Sequence, residues 1–431
     1  MCRAHAFKRT STSPVIGFGL VKGRQMTTLT EREPLTPGQE LVQGAYESDL
    51  EPIRHPRRKS LQEAYGFDDV AIVPGVLTIN PELTDVSTML AGQRLEMPIL
   101  ASAMDAVVDP DFAIEVGRRG GMAVLNLEGL QCRFDDPAEV LEEVAGSDTE
   151  TATEILQRAY TTPIRDELIG LRVQQIKDGG VAAAVSITPP NAKRLAPAIK
   201  EAAPDVFVVQ STVTTARHYS RSQRGLILSE LIAEMQIPTL VGNTVGFDAS
   251  LELMEEGIAG LLVGVGPGAA CTSREVLGIG VPQVSATIEC AYARDVYYER
   301  TGRYVPIITD GGIRTGGDFC KALVSGADAV MIGSPFAGAL EAPGRGFHWG
   351  MATPHAELPR GVRVHVGQHT TLDRLLFGPT SRTDGTENLI GALRTCMGSV
   401  GAETIRDLQE TEMVIAPAIK TEGKRYQMMR D

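Results

Sequence analysis

The sequence predicts an α/β fold, a (β/α)8 TIM barrel, and three observations predict it. Eight short apolar runs alternate with stretches of helical pattern. Glycines recur at matched spacing, Gly242, Gly257 and Gly264 being echoed by Gly311, Gly326 and Gly333. The 431 residues are 43% hydrophobic with 45 Gly and only 5% aromatic, which suits one large barrel with glycine-rich βα loops.

The eight runs are 97–103, 121–126, 181–187, 206–211, 238–243, 260–265, 305–309 and 329–333. Most are rich in Val, Ile, Leu or Ala, as strands buried on both faces must be. Helical spacing of apolar residues marks 112–118, 226–235, 249–256 and 319–324. The segments RGGMAVLN, DGGVAAAVS, EGIAGLLVG and SGADAVMIG echo one another, as repeated βα units would. Two segments fall outside the eight units. Residues 130–175 are charged and helical in pattern, and residues 343–431 carry loops with Pro, Gly and His. Segments this long inside a compact domain are usually functional.

The domain expectation is an N-terminal leader or extension over 1–60, partly disordered, and a single barrel domain over 61–431. The first 25 residues hold Arg3, Lys8, Arg9, Lys22 and Arg24 but no acid. The apolar stretch 14–20 is too short for a signal peptide core, and Met26 opens more ordinary sequence.

A net charge of −13 disfavours nucleic acid and anionic membrane as partners. No apolar run is long enough to cross a membrane. The six cysteines, Cys2, Cys132, Cys271, Cys290, Cys320 and Cys396, show no CxxC spacing, so a reducing, cytoplasmic location is expected. His348 and His355, or His365 and His369, read as loop groups and not as transition-metal ligands.

The sharpest chemical signal is GVGPGAACTSR, residues 264–274. Dense glycine lets backbone approach a ligand and turns several carbonyls or amides into one concavity. Cys271 lies on this loop past the sixth run, at the face where barrels carry their chemistry, and reads as a nucleophile. A small buried thiol is the alternative. TDGGI (309–313) and IGSP (332–335) end the seventh and eighth runs. Loops there commonly bind phosphate, so Gly311, Gly312, Gly333 and Ser334 are candidates for a phosphate cradle and Asp310 for a sugar hydroxyl acceptor. Ser102, Met104 and Asp105 after the first run, Asn243 after the fifth, and the polar turn Gln210, Ser211, Thr212 after the fourth complete the set.

These blocks, with PILASAMDAV (98–107), GSPFAGALEAPG (333–344) and LRTCMGSVGAETIRDL (393–408), resemble the IMP dehydrogenase/GMP reductase family over most of 65–410. The resemblance implies a (β/α)8 barrel, a homotetramer, and oxidation of IMP to XMP with NAD through a covalent thioimidate on Cys271, a step of guanine nucleotide synthesis. It implies Ser273 beside the reacting ring, where the family usually has Thr. Asp310 would bind the ribose, Gly312, Gly333 and Ser334 the phosphate, and Ser102, Met104 and Asn243 the rest of the nucleotide. Backbone at Met351 would touch the purine. Gln210, Ser211, Thr212, Gly264 and Gly266 fall on the cofactor side. Carbonyls of Gly266, Gly268 and Cys271 match the family's potassium site.

The chain also departs from the pattern. Residues 130–175 are too short for the regulatory CBS pair that IMP dehydrogenases carry after the second strand. The family's phosphate-contacting Ser is Ala269, an Asp of the nicotinamide-side turn is Gln210, an Arg before the loop glycines is Leu262, and a purine-reading Gln or Glu is Arg360. The flap is short, with His348, Arg360 and Arg363 as replacement candidates for the hydrolytic base or its partner. A GMP reductase, which consumes NADPH and needs a flap acid such as Glu357, ranks second. A catalytically silent purine-nucleotide-binding protein ranks third.

Overall fold

A computed structural model describes residues 60–218 and 225–417. The leader expected over 1–60 lies essentially outside these residues. The described residues from Glu63 onward belong to one compact unit.

Every one of the eight apolar runs becomes a strand, and the eight close into a parallel barrel. In chain order they are β4 (Ile99–Ala101), β5 (Met122–Asn126), β6 (Ala184–Ile187), β7 (Val206–Gln210), β8 (Thr239–Thr244), β9 (Gly260–Val263), β10 (Ile307–Asp310) and β11 (Ala329–Ile332). β11 pairs with β4 and so closes the ring. Three short strands precede them: β1 (Val70–Ile72), β2 (Thr88–Leu90) and β3 (Gln93–Leu95). The β2–β3 hairpin inserts Leu90 and Leu95 among the interior side chains Leu100, Met122, Val208, Leu262 and Met331. That interior is a packed core, as is usual for eight strands.

The first helices are α1 (Pro110–Arg118), α2 (Ala138–Gly146), α3 (Thr149–Ala159) and α4 (Asp166–Asp178). α1 begins with Pro110 at its first position, and Asp109 accepts from Phe112 N at 2.7 Å. No strand interrupts the 130–175 segment, which is built from α2, α3 and α4 after a 3-10 turn at Leu130–Cys132. Around the barrel follow α5 (Pro189–Ala202), α6 (Leu228–Met235), α7 (Phe247–Glu255), the short α8 (Ser273–Leu277), α9 (Gln283–Thr301), α10 (Gly316–Val324) and α11 (Ser334–Ala337). No described helix is long and apolar enough to cross a membrane.

The C-terminal segment is more ordered than its loop-like sequence suggests. A hairpin of β12 (Phe347–His348) and β13 (Val364–His365) precedes α12 (Leu372–Leu376), α13 (Leu389–Val400) and α14 (Ile405–Gln409). β14 (Met413–Ile415) then pairs antiparallel with β1. Gly391 and Gly398 weaken the helical signal of α13 in the sequence. Packing explains it: Leu389, Leu393 and Met397 are buried in the main core.

Candidate active site

The strand ends converge on one cavity of about 740 Å³, within the range of small-molecule sites. Ser102, Met104, Gln210, Ser211, Thr212, Asn243, Gly264, Gly266, Gly268, Cys271, Asp310, Gly311, Gly312, Gly333, Ser334 and Met351 all line it. Ser273 does not: it is fully buried behind the thiol, with Cys271 Sγ 3.3 Å from its Oγ. Asp105 is also turned away, into the 130–175 segment.

Cys271 is half-exposed on the loop between β9 and α8. The loop is pinned from both sides. Arg274 donates to Val265 O at 3.3 Å and Val281 O at 2.9 Å. Opposite, Thr272 N donates to Arg360 O and Val362 N to Ala270 O, each at 3.0 Å. Cys271 and Gly361 thereby form an isolated antiparallel bridge. Gly264 has φ +142°, and a Cβ there would stand 2.5 Å from Asp310 O, so only glycine lets the loop start where it does. Gly268 O accepts the Cys271 amide at 3.0 Å, and a carbonyl oxygen so used keeps a second lone pair.

Asp310 ends β10 at the centre of a polar group. Gln210 Nε2 donates to its Oδ2 at 2.8 Å and Asn243 Nδ2 to the same oxygen at 2.9 Å. Gln210 also donates to Asn243 Oδ1 at 3.0 Å. Asn243 sits at the register shift between β8 and β9, a bulge that turns its side chain toward Asp310. Burial pushes the Asp310 carboxyl up to about 6, against the pull of the two amide donors. The Gln210 side chain is therefore committed to Asp310. The turn that follows it is self-satisfied, with Ser211 Oγ bonded to Val213 O at 2.8 Å and Thr214 Oγ1 to Gly242 O at 2.6 Å.

The Gly311 amide donates to Met331 O at 3.1 Å, so Gly311 shapes the turn and does not offer that N–H to a ligand. Ser334 Oγ lies 2.9 Å from His348 Nε2. Burial brings His348 down to about 4, which makes it a neutral partner of Ser334 and a poor base near pH 7. Its Nδ1 is buried without a partner. Arg363 lies elsewhere: its guanidinium stacks 4.4 Å over the Phe347 ring and donates to Val144 O. Of the three replacement candidates, Arg360 and His348 line the cavity. Glu357 is not among the lining residues.

Sequence reasoning missed Gln283, at the start of α9. It is buried, lines the cavity, and donates to Val263 O at 2.7 Å and Asp310 O at 3.1 Å. Its Oε1 has no partner. The polar residue closing GVPQ was the available signal. Phe67, Asp68 and Asp69, far upstream, also line the cavity and carried no signal at all.

A half-exposed thiol on a glycine loop and a buried carboxylate thus share one small-molecule cavity at the strand ends of a (β/α)8 barrel. The IMP dehydrogenase / GMP reductase domain model matches residues 64–354, and the chain belongs to that family. An uncharacterized oxidoreductase of Mycolicibacterium smegmatis is 37% identical over 83% of this chain and 98% of its own length. The inosine-5'-monophosphate dehydrogenase of Cryptosporidium parvum is 28% identical over 86% of this chain and 96% of its own. A crystal structure of an IMP dehydrogenase/GMP reductase-like protein from Corynebacterium glutamicum superposes with a TM-score of 0.79 at 32% identity, covering 84% of this chain and 96% of that one.

Proposed function

We propose that this chain is an oxidoreductase that converts IMP to XMP with NAD, through a covalent bond from Cys271 Sγ to C2 of the purine. The observation that carries it is the half-exposed Cys271 thiol on a doubly pinned loop, in the same cavity as the Asp310, Asn243 and Gln210 group. The ribose diol binds the free carboxylate oxygen of Asp310, since both protein donors use Oδ2. The phosphate takes the Gly312 and Gly333 amides and the Ser334 hydroxyl, with neutral His348 orienting that hydroxyl. The ring then lies between Met351 and Cys271.

Cys271 gives up its proton, and its sulfur bonds to C2. The C2 hydrogen leaves as hydride. Ser211, Thr212, Gly264 and Gly266 would hold an oxidised nicotinamide, which would supply the hydride acceptor. Water adds to C2 of the thioimidate, the C–S bond breaks, and the thiol is restored. The balance is IMP, NAD+ and water giving XMP, NADH and a proton. Arg360 lines the same cavity, and its guanidinium donors would lie toward the ring and the attacking water. Carbonyls of Gly266, Gly268 and Cys271 would hold a hard monovalent cation, potassium, which would stiffen the loop. Assembly as a homotetramer is part of the same reading.

GMP reduction ranks second because Glu357, the flap acid it would use, is not among the cavity's lining residues. Purified protein with IMP, NAD+ and potassium should generate NADH. NADPH consumption with GMP in place of that signal would make it a reductase. Nucleotide binding with neither turnover would make it a silent binder.

A further inference from the structure

α2 and α3 pack around their own hydrophobic cluster, separate from the barrel core. It contains Leu141, Val144, Ile155 and Leu156 from the two helices, and Trp349 from the segment that enters the active site. Two further ties run from α2 to that segment. Arg345 donates to Glu142 at 2.5 Å, and Arg363 donates to Val144 O. The segment thus rests on the α2–α3 insertion along both arms of the β12–β13 hairpin, while its middle bonds to the Cys271 loop through Arg360 and Val362.

Tyr160, at the end of α3, is the polar pin of this arrangement. Its hydroxyl donates to Asp105 Oδ2. Asp105 also accepts from Leu130 N at 3.0 Å and Asn126 Nδ2 at 3.2 Å, so four elements meet on one buried carboxylate. Gly129 is required for that meeting, since a Cβ there would stand 1.7 Å from Asp105 Oδ1. The buried Trp349 indole lies with its N–H toward the Tyr160 phenol. Asp105 is three residues past Ser102 and one past Met104, both of which line the cavity. Arg133 locks the Tyr160 main chain by donating to its carbonyl at 2.8 Å, and lies 5.0 Å over the ring.

We infer that the α2–α3 insertion is the platform on which the purine-contacting segment is held, and that Tyr160 is a positioning residue that sets the Cys271 loop through Trp349, Arg360 and Gly361. The chain of contacts is continuous: Tyr160 fixes Asp105 and borders Trp349, Trp349 adjoins His348 and Gly350 of the cavity wall, Arg360 N donates to Ala352 O at 3.2 Å, and Gly361 bridges to Cys271. The role of Tyr160 in nucleotide turnover rests on the reading given above. Its hold on the Cys271 loop does not.

The test compares Tyr160→Phe, which removes only the hydroxyl, with the exposed α3 variant Glu154→Ala and with Arg363→Gln, which loosens the same docking from the other side. Two readouts need no nucleotide. Trp349 is the sole tryptophan, so intrinsic fluorescence reports on this segment alone. The rate of Cys271 alkylation by iodoacetamide, with Cys396 as internal standard, reports on the loop. Tyr160→Phe and Arg363→Gln should each shift Trp349 emission and raise the Cys271 rate roughly fivefold, the scale of losing one ordinary hydrogen bond. Cys396 and Glu154→Ala should not change. With IMP and NAD+, the same two variants should raise KM for IMP by a similar factor with a smaller change in kcat. If Tyr160→Phe melts early, Arg363→Gln decides. Wild-type emission and Cys271 rates in both variants overturn the inference. Absence of IMP turnover by the wild type, with the Cys271 rates still shifted, would instead overturn the proposed reaction.

Discussion

Gln210 and Asp310 are joined by a single hydrogen bond of 2.8 Å from Nε2 to Oδ2. An amide donor thus stands where a carboxylate would repel Asp310. Asp310→Asn should weaken IMP binding by roughly tenfold to a hundredfold, the share of a hydrogen bond to a charged group. Gln210→Glu should weaken it as well, by placing a second acid against the first. Titration calorimetry with IMP checks both, and unchanged affinity in Asp310→Asn would remove the ribose role.

The Asp310 carboxyl also sets a pH dependence. Burial raises it from 3.8 to about 6, so the fold favours the neutral acid. Its contribution to stability is fully present below 3.8 and is lost as pH rises through about 6. Ligand binding runs the other way, since the ribose diol needs the carboxylate acceptor. IMP affinity should fall as pH drops through about 6, and the drop should vanish in Asp310→Asn.

His348 gives the opposite stability slope. Burial lowers it from 6.5 to about 4, so the fold favours the neutral ring. That contribution is present above 6.5 and is lost as pH falls through about 4. His348→Gln should flatten the pH dependence of the urea midpoint in this window. An unaltered slope would mean that other groups dominate acid unfolding.

Gly264→Ala should be severe. The position combines φ +142° with a Cβ contact 2.5 Å from Asp310 O. Strain and displacement together should cost at least about 2 kcal/mol, read as a lower denaturation midpoint. Alanine tolerated there without loss of stability or IMP binding would contradict the described loop.

Thiol reactivity should separate the cysteines cleanly. Cys132 and Cys290 are buried, and burial pushes each up to about 12. Iodoacetamide should therefore reach Cys271 and Cys396 and spare those two. IMP should protect Cys271 alone, as peptide mass mapping would show.

All eight strands were legible in the sequence because a parallel barrel strand is apolar throughout and ends in glycine or a polar turn. Cys271, Asp310 and Asn243 were legible as cavity residues because each lies at or just past a strand end. Ser273 and Asp105 were not placed correctly. Each is polar and sits next to a cavity residue, yet the chain turns its side chain inward, to a thiol's rear in one case and to Tyr160 in the other. Gly311 shares a motif with Gly312, but only the fold shows its amide taken by Met331. The helices of 372–409 were hidden because their stability comes from packing on the barrel and not from local propensity.

The proposed reaction requires a covalent bond between Cys271 and the purine during turnover. Acid quenching of the enzyme with IMP and NAD+, followed by peptide mass spectrometry, tests it most directly. A nucleotide-mass adduct should be found on the Cys271 peptide, require both substrates, and be lost in Cys271→Ala together with NADH production. NADH production by Cys271→Ala at the wild-type rate, or turnover with no adduct on that peptide, would contradict it.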